Sequence, residues 1–232
     1  MKKTKHITLA AIAIFTAMAA TTQASIIQDG IGGDPVAGGI GYRIRVQMGA
    51  EDSAVLTSHV GAWSWNNGGT VESPAGWTHT SNFIALNLTE ATVFTVKMER
   101  KEGVPWPETN APDRVASTDA MFPSFTLWSG WDDVTTAPEN HIYNPIGDVA
   151  WSNILDYVGH VQNSTLTTVE YSWTLAPGNY TLALGSNAPQ NISNRQGYEA
   201  TFTTTAVPEP STFALIAGGL GALALIRRRK SA

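Results

Sequence analysis

Along residues 41–48, GYRIRVQM, the apolar side chains of Tyr42, Ile44, Val46 and Met48 alternate with Arg43, Arg45 and Gln47. A period of two sends successive side chains to opposite faces, so the pattern predicts a strand with one buried face. ATVFTVKME (91–99) repeats it, with Phe94, Val96 and Met98 set against Thr95, Lys97 and Glu99. Further strands are predicted at 82–88 (NFIALNL), 124–128 (SFTLW), 168–175 (TVEYSWTL), 179–185 (NYTLALG) and 198–204 (YEATFTT). In TVEYSWTL, Val169, Tyr171, Trp173 and Leu175 fall on one face. Pro177-Gly178 supplies turn chemistry between two alternating runs, so TLAPGNYTLAL predicts a hairpin. Helical spacing is absent. Short strands rich in Thr, Val and aromatics, separated by Gly, Pro and Asn, predict an all-β protein, an antiparallel β-sandwich with long loops. The polar, proline-bearing segments 101–121 and 129–155 are where a site is expected, since long loops on a rigid scaffold carry function.

The two ends break the pattern. MKKTKH is a basic start, ITLAAIAIFTAMAA an apolar run, and Thr22-Gln23-Ala24 a small-x-small site before Ser25; together they predict a secretory signal peptide over 1–24, handled by the Sec machinery. At the other end the run from Thr212 to Ile226 holds no charge. As a helix it would rise ~1.5 Å per residue and cover ~22 Å, a short span for a ~30 Å hydrocarbon core. A single transmembrane helix is expected over about 211–226, with Arg227, Arg228, Arg229 and Lys230 holding its end on the cytoplasmic side of the inner membrane. Between the two ends, residues 25–206 make one extracytoplasmic domain, with no internal repeat.

Formal charge changes once the ends are set aside. Half of the 14 Lys and Arg lie in them but only one of the 19 acidic residues, Glu209, which leaves 25–206 at −11. That balance argues against nucleic acid as a partner. No cysteine is present, so neither disulfides nor thiolate metal sites are available. The sequence contains no G-x-S-x-G, H-E-x-x-H or P-loop, and the expectation is a domain that binds and does not catalyse.

Val207-Pro208-Glu209-Pro210-Ser211, the glycine-rich apolar run and the terminal Arg cluster resemble the PEP-CTERM sorting signal of Gram-negative bacteria. The resemblance covers about 25 residues (207–232), with its three parts in order. It implies recognition by the membrane peptidase-transpeptidase exosortase, cleavage near the Pro-Glu-Pro, and release or transfer to the cell surface, often in bacteria that make exopolysaccharide. The tail is then a temporary anchor. It gives an address and no activity.

Four histidines remain between the ends: His59, His79, His141 and His160. Imidazole is the one ligand here suited to copper or zinc, although a lone histidine is more often a hydrogen-bonded structural residue. In an extended segment residues two apart project to one side, so Trp77 and His79 of Trp77-Thr78-His79 share an environment. That tripeptide, in GWTHTSNFIALNL, resembles the surface copper(I)-binding proteins of methane-oxidising bacteria, the CorA and MopE type. The resemblance implies that a Trp-x-His and a second, distant histidine hold Cu(I), and that the tryptophan is oxidised to kynurenine. Carried over, Trp77 and His79 match the first part, and His141 in ENHIYN or His160 in YVGHV is the second histidine.

Other readings stay open at this stage. Trp63, Trp65, Trp106, Trp128 and Trp131 are candidates for an aromatic platform for sugar rings, which would make the domain a polysaccharide-binding or structural component of the extracellular matrix; core packing is the ordinary alternative. Ser129-Gly130-Trp131-Asp132-Asp133 with Asp148 offers oxygen ligands for Ca²⁺ but without EF-hand spacing. The sequons at Asn87, Asn163, Asn179 and Asn191 are incidental in an exported bacterial protein.

Overall fold

The computed structural model describes residues 24–28, 41–65, 77, 80–108, 110–132, 143–188 and 194–207. Ten strands run through them: β1 (Ser25–Gln28), β2 (Ile44–Met48), β3 (Ser53–Gly61), β4 (Asn82–Leu88), β5 (Thr92–Arg100), β6 (Pro123–Ser129), β7 (Asp156–Val161), β8 (Thr168–Leu175), β9 (Gly178–Ser186) and β10 (Arg195–Ala206). They form a six-stranded sheet, β1-β2-β4-β9-β6-β7, and a four-stranded sheet, β3-β10-β5-β8. Both sheets turn an apolar face to one shared core. The class is all-β, as the alternation predicts.

The alternating runs become strands for the expected reason. On β5, Phe94, Val96 and Met98 are fully buried, and on β10 Tyr198, Ala200 and Phe202 join them. Phe94 stacks on Phe202 at 6.1 Å between ring centroids. Across the gap, Phe125 of β6 meets Trp173 of β8 edge-on at 5.9 Å. Tyr171 departs from its predicted company: it shares the strand face of Trp173 but is 49% exposed, because β8 ends its sheet and one flank of the ring has no neighbouring strand.

Two connections differ from the sequence expectation. The Pro177-Gly178 turn does not close a hairpin: β8 pairs with β5, whereas β9 pairs with β4 and β6. The chain arches from one sheet to the other, so Trp173 and Leu175 enter the core from one side and Tyr180, Leu182 and Leu184 from the opposite side. The Tyr180 hydroxyl donates to the Ala176 carbonyl at 2.9 Å and braces the arch. In addition, β2 and β4 pair in parallel, the one parallel ladder among the described strands. After β2 the chain lays β3 in the other sheet before returning as β4, and such a crossover brings β4 back in the direction of β2.

The six-stranded sheet is buried on both faces at its centre. Along β4, Ile84, Leu86 and Leu88 enter the shared core, while Phe83 and Ala85 face outward and are equally buried. Ala183 of β9 and Trp128 of β6 do the same, under a second cluster formed with Tyr42, Trp65, Trp77, Tyr143, Val149 and Leu155. Residues 143–155 therefore cover the outer face of this sheet. The candidate site lies within that cover.

Candidate functional site

Trp77 is held at three points. Its backbone N–H donates to the Tyr143 carbonyl at 2.9 Å, in an isolated antiparallel bridge between the two residues. Its indole N–H donates to the Thr126 hydroxyl at 2.9 Å, and that hydroxyl donates onward to the Pro145 carbonyl at 2.8 Å. The third point is packing: Trp65 stands edge-on at 4.8 Å, and the ring lies on Gly185, where a Cβ would collide with the indole and with the Ser64 hydroxyl. Any side chain at 185 would displace Trp77, which gives this glycine a role in the site.

The cover around it is aromatic. Tyr143 packs on Phe83 at 4.7 Å and meets Trp151 edge-on at 5.4 Å. Burial, and then the nearby Asp132 carboxylate, push the Tyr143 phenol up to about 12, so it stays protonated at neutral pH. The Tyr42 hydroxyl lies 2.5 Å from that of Thr181 and accepts the Asp132 backbone N–H at 3.1 Å.

Of the predicted metal residues, Trp77 falls in this cluster, whereas His79 and His141 lie outside the described residues. His160 sits on β7 opposite Thr126, the residue that accepts the Trp77 indole N–H. Its ring is 5.8 Å from that of Trp65, and its Nδ1 is hydrogen-bonded to the Tyr157 hydroxyl. Burial lowers its pKa from the ordinary imidazole value and favours the neutral ring. The fourth histidine, His59, is on β3 and packs instead against Trp106, at 6.0 Å. Among the described residues no three His, Asp or Glu side chains gather as a metal-binding group.

The other candidates are dispersed. Trp65 and Trp128 are buried in the outer cluster and Trp131 is pinned by N–H bonds to the carbonyls of Leu86 and Tyr180, so the five tryptophans make no common exposed platform. Trp106 lies under the Arg114 guanidinium at 3.7 Å, and Trp63 is half-buried beside Asn187. In the acidic loop Asp132 is fully buried and Asp148 accepts the Tyr157 backbone N–H at 2.7 Å; Asp133 lies outside the described residues. Thr126 and Gly185 are not legible as site residues, since each is supplied by strand pairing from a distant part of the chain, and Trp65 is legible only as a candidate for a sugar platform. The β-period at SFTLW does place Thr126 on the face opposite Phe125 and Leu127, which is the only local signal for its role.

Val207 is the last described residue; Pro208, Glu209, Pro210 and the cluster Arg227, Arg228, Arg229 and Lys230 lie beyond it, as does the expected transmembrane run 211–226. No helix among the described residues is long and apolar enough to cross a membrane.

Residues 206–230 match the PEP-CTERM protein-sorting motif. The chain is thus an exported protein carrying the exosortase sorting signal. No curated protein matches the chain. Solved structures with similarity to it include CorA, a surface-associated copper-binding protein important in Methylomicrobium album BG8 copper acquisition, at 16% identity and TM-score 0.45, covering 68% of this chain and 98% of that one. MopE, a secreted protein of Methylococcus capsulatus in which an oxidised tryptophan facilitates copper binding, is similar at 14% identity and TM-score 0.38, covering 79% and 94%. A pre-peptidase C-terminal domain of a Bacillus anthracis collagenase follows at 11% identity and TM-score 0.31, covering 68% and 92%.

Proposed function

We propose that this exported protein carries a non-catalytic binding domain that holds one copper(I) ion at the cell surface, with Trp77, His79 and His141 at the site. The observation that carries the reading is the antiparallel bridge between Trp77 and Tyr143. His79 follows Trp77 by two residues and His141 precedes Tyr143 by two. An antiparallel ladder extended from that bridge would match position 79 with position 141. Matched residues of a ladder project to one side and lie within reach of a common ligand.

The chemistry of the surroundings fits a monovalent soft ion. Trp77 is only 3% exposed and is walled by Trp65, Tyr143 and a glycine floor, and the cost of placing an ion in apolar surroundings rises steeply with its charge. Neutral imidazoles are the suitable donors in a chain without cysteine. When bound, copper would supply a redox-active centre beside an indole. The chain's own part is to hold that indole, through Thr126 and Gly185, and to keep water from it.

His160 is the competing second ligand, because it joins Trp77 through Trp65 and Thr126. A competition titration against a Cu(I) chelator separates the two. One equivalent should bind to the wild type, and His79→Ala and His141→Ala should each abolish binding while His160→Ala retains it. Zinc should bind more weakly, since two imidazoles fill half of its tetrahedral shell. Loss in His79→Ala and His160→Ala alone would reassign the second ligand. Equal, poor competition by the wild type and all variants would remove copper from the account.

A further inference from the structure

Arg114 and Arg195 are two of the seven Lys and Arg residues between positions 25 and 206, and they gather with His59 and Trp106 at one end of the four-stranded sheet. The segment between β5 and β6 builds the place by folding back on itself. Trp106 N–H donates to the Arg114 carbonyl at 2.7 Å, and Ala116 N–H to the Val104 carbonyl at 2.9 Å. Ser117 N–H then donates to the Arg195 carbonyl at 2.9 Å and Lys101 N–H to the Gly197 carbonyl at 3.1 Å, which ties the excursion to β10. Gly197 is the ladder partner of His59.

The side chains converge on the indole of Trp106. The Arg114 guanidinium lies 3.7 Å from its centroid, that of Arg195 5.9 Å, and the His59 ring 6.0 Å. Arg43 is near enough for its charge to act on both His59 and Arg195. One carboxylate is paired here, Glu108 to Arg114 at 2.8 Å, and its charge also reaches Arg195. Among the described residues no ion pair includes Arg43 or Arg195; the Arg195 guanidinium donates to the Thr80 carbonyl at 3.2 Å. Nδ1 of His59 is buried without a hydrogen-bond partner.

Like charges held together by a fold repel one another unless a counter-charge is supplied. In a domain of formal charge −11 such a cluster is not part of a generally basic surface. We propose that it is an anion-binding site, taking a carboxylate or phosphate oxyanion carried on a ring or apolar body. The planar fork of Arg195, with the imidazole of His59, receives the oxyanion, because guanidinium N–H pairs match the spacing of its oxygens. The indole of Trp106, flanked by the guanidinium of Arg114, receives the body. This site is separate from the outer aromatic cluster and does not rest on the copper reading.

Calorimetric titration of the exported protein with digalacturonate and with inorganic phosphate tests it. At least one of the two should bind. Affinity should fall ~10-fold or more in Arg195→Gln and in Arg114→Gln, a loss of about 1.4 kcal/mol, and should not change in Lys97→Gln, whose ammonium lies on the open face of the sheet beside Glu99. Binding of digalacturonate alone identifies a sugar carboxylate as the source of the oxyanion, and binding of phosphate alone identifies a phosphoryl group. Arg114 is exposed, so its variant carries the test if Arg195→Gln does not fold. Failure of both anions to bind, or unchanged affinity in the folded arginine variants, overturns the proposal.

Discussion

Trp77 donates its indole N–H to the hydroxyl of Thr126 over 2.9 Å, and both side chains are buried. Because the same hydroxyl donates to the Pro145 carbonyl, one small residue on β6 satisfies two groups of the covering segments. Thr126→Val keeps the shape and removes the oxygen, leaving the indole N–H and the carbonyl without partners. The expected cost is about 1–3 kcal/mol. Thr126→Ser should recover most of it, and a Val variant no less stable than the Ser variant in denaturant unfolding would show that the bond contributes nothing.

Leu182 tests the arch. It lies on β9 at 0% exposure, between Tyr180 and Leu184 on the core face. Leu182→Ala should cost about 2–5 kcal/mol, since β9 is paired on both edges and enclosed by the facing sheet and the outer cluster, and can collapse little around the vacancy. A change below about 0.5 kcal/mol in reversible denaturant unfolding would mean that this face is not core.

Seven of the ten strands are legible as alternation because each has one face filled by large apolar residues, as Phe94, Val96 and Met98 do on β5. The three that escape are weak for identifiable reasons. β3 fills inward positions with the small residues Ala54 and Ser58 and puts Val55 outside. β7 is an edge strand whose described side chains after Asp156 are all half-buried, and β1 has only four residues. The sequence predicts a hairpin where the structure has an arch because Pro177-Gly178 serves either connection; β5 and β4, distant in sequence, decide which sheet each strand joins. Trp77 stands out in the sequence by its spacing from His79. Its hydrogen-bond partner, its aromatic wall and its glycine floor do not, since they depend on tertiary pairing.

The sorting motif over 206–230 gives a prediction about the mature chain. Protein from the host surface should begin near Ser25 and end close to Pro210, without Arg227 to Lys230. Intact-mass measurement reads both ends at once. A surface form that keeps the basic tail would contradict sorting by cleavage.

Stability should fall on acidification through the imidazole range. His59 has a lowered pKa, mainly from burial and then from the charges of Arg195 and Arg43, and burial lowers that of His160, each from the ordinary imidazole value of 6.5. In both cases the unfolded chain takes up a proton at a higher pH than the folded one, so the unfolded state binds more protons in the interval between the two pKa values. The contribution is fully present above about pH 6.5 and is lost as pH falls through that interval towards the folded values. Glu199, whose pKa is lowered from 4.5 chiefly by its hydrogen bond from Lys101, adds a further loss at lower pH only. Thermal unfolding of the wild type should therefore show a lower Tm at about pH 5.5 than at about pH 7.5, and a His59→Gln, His160→Gln double variant should show a smaller drop. A Tm that stays level across this range in the wild type, or falls equally in the double variant, would mean that these two imidazoles do not couple protonation to folding.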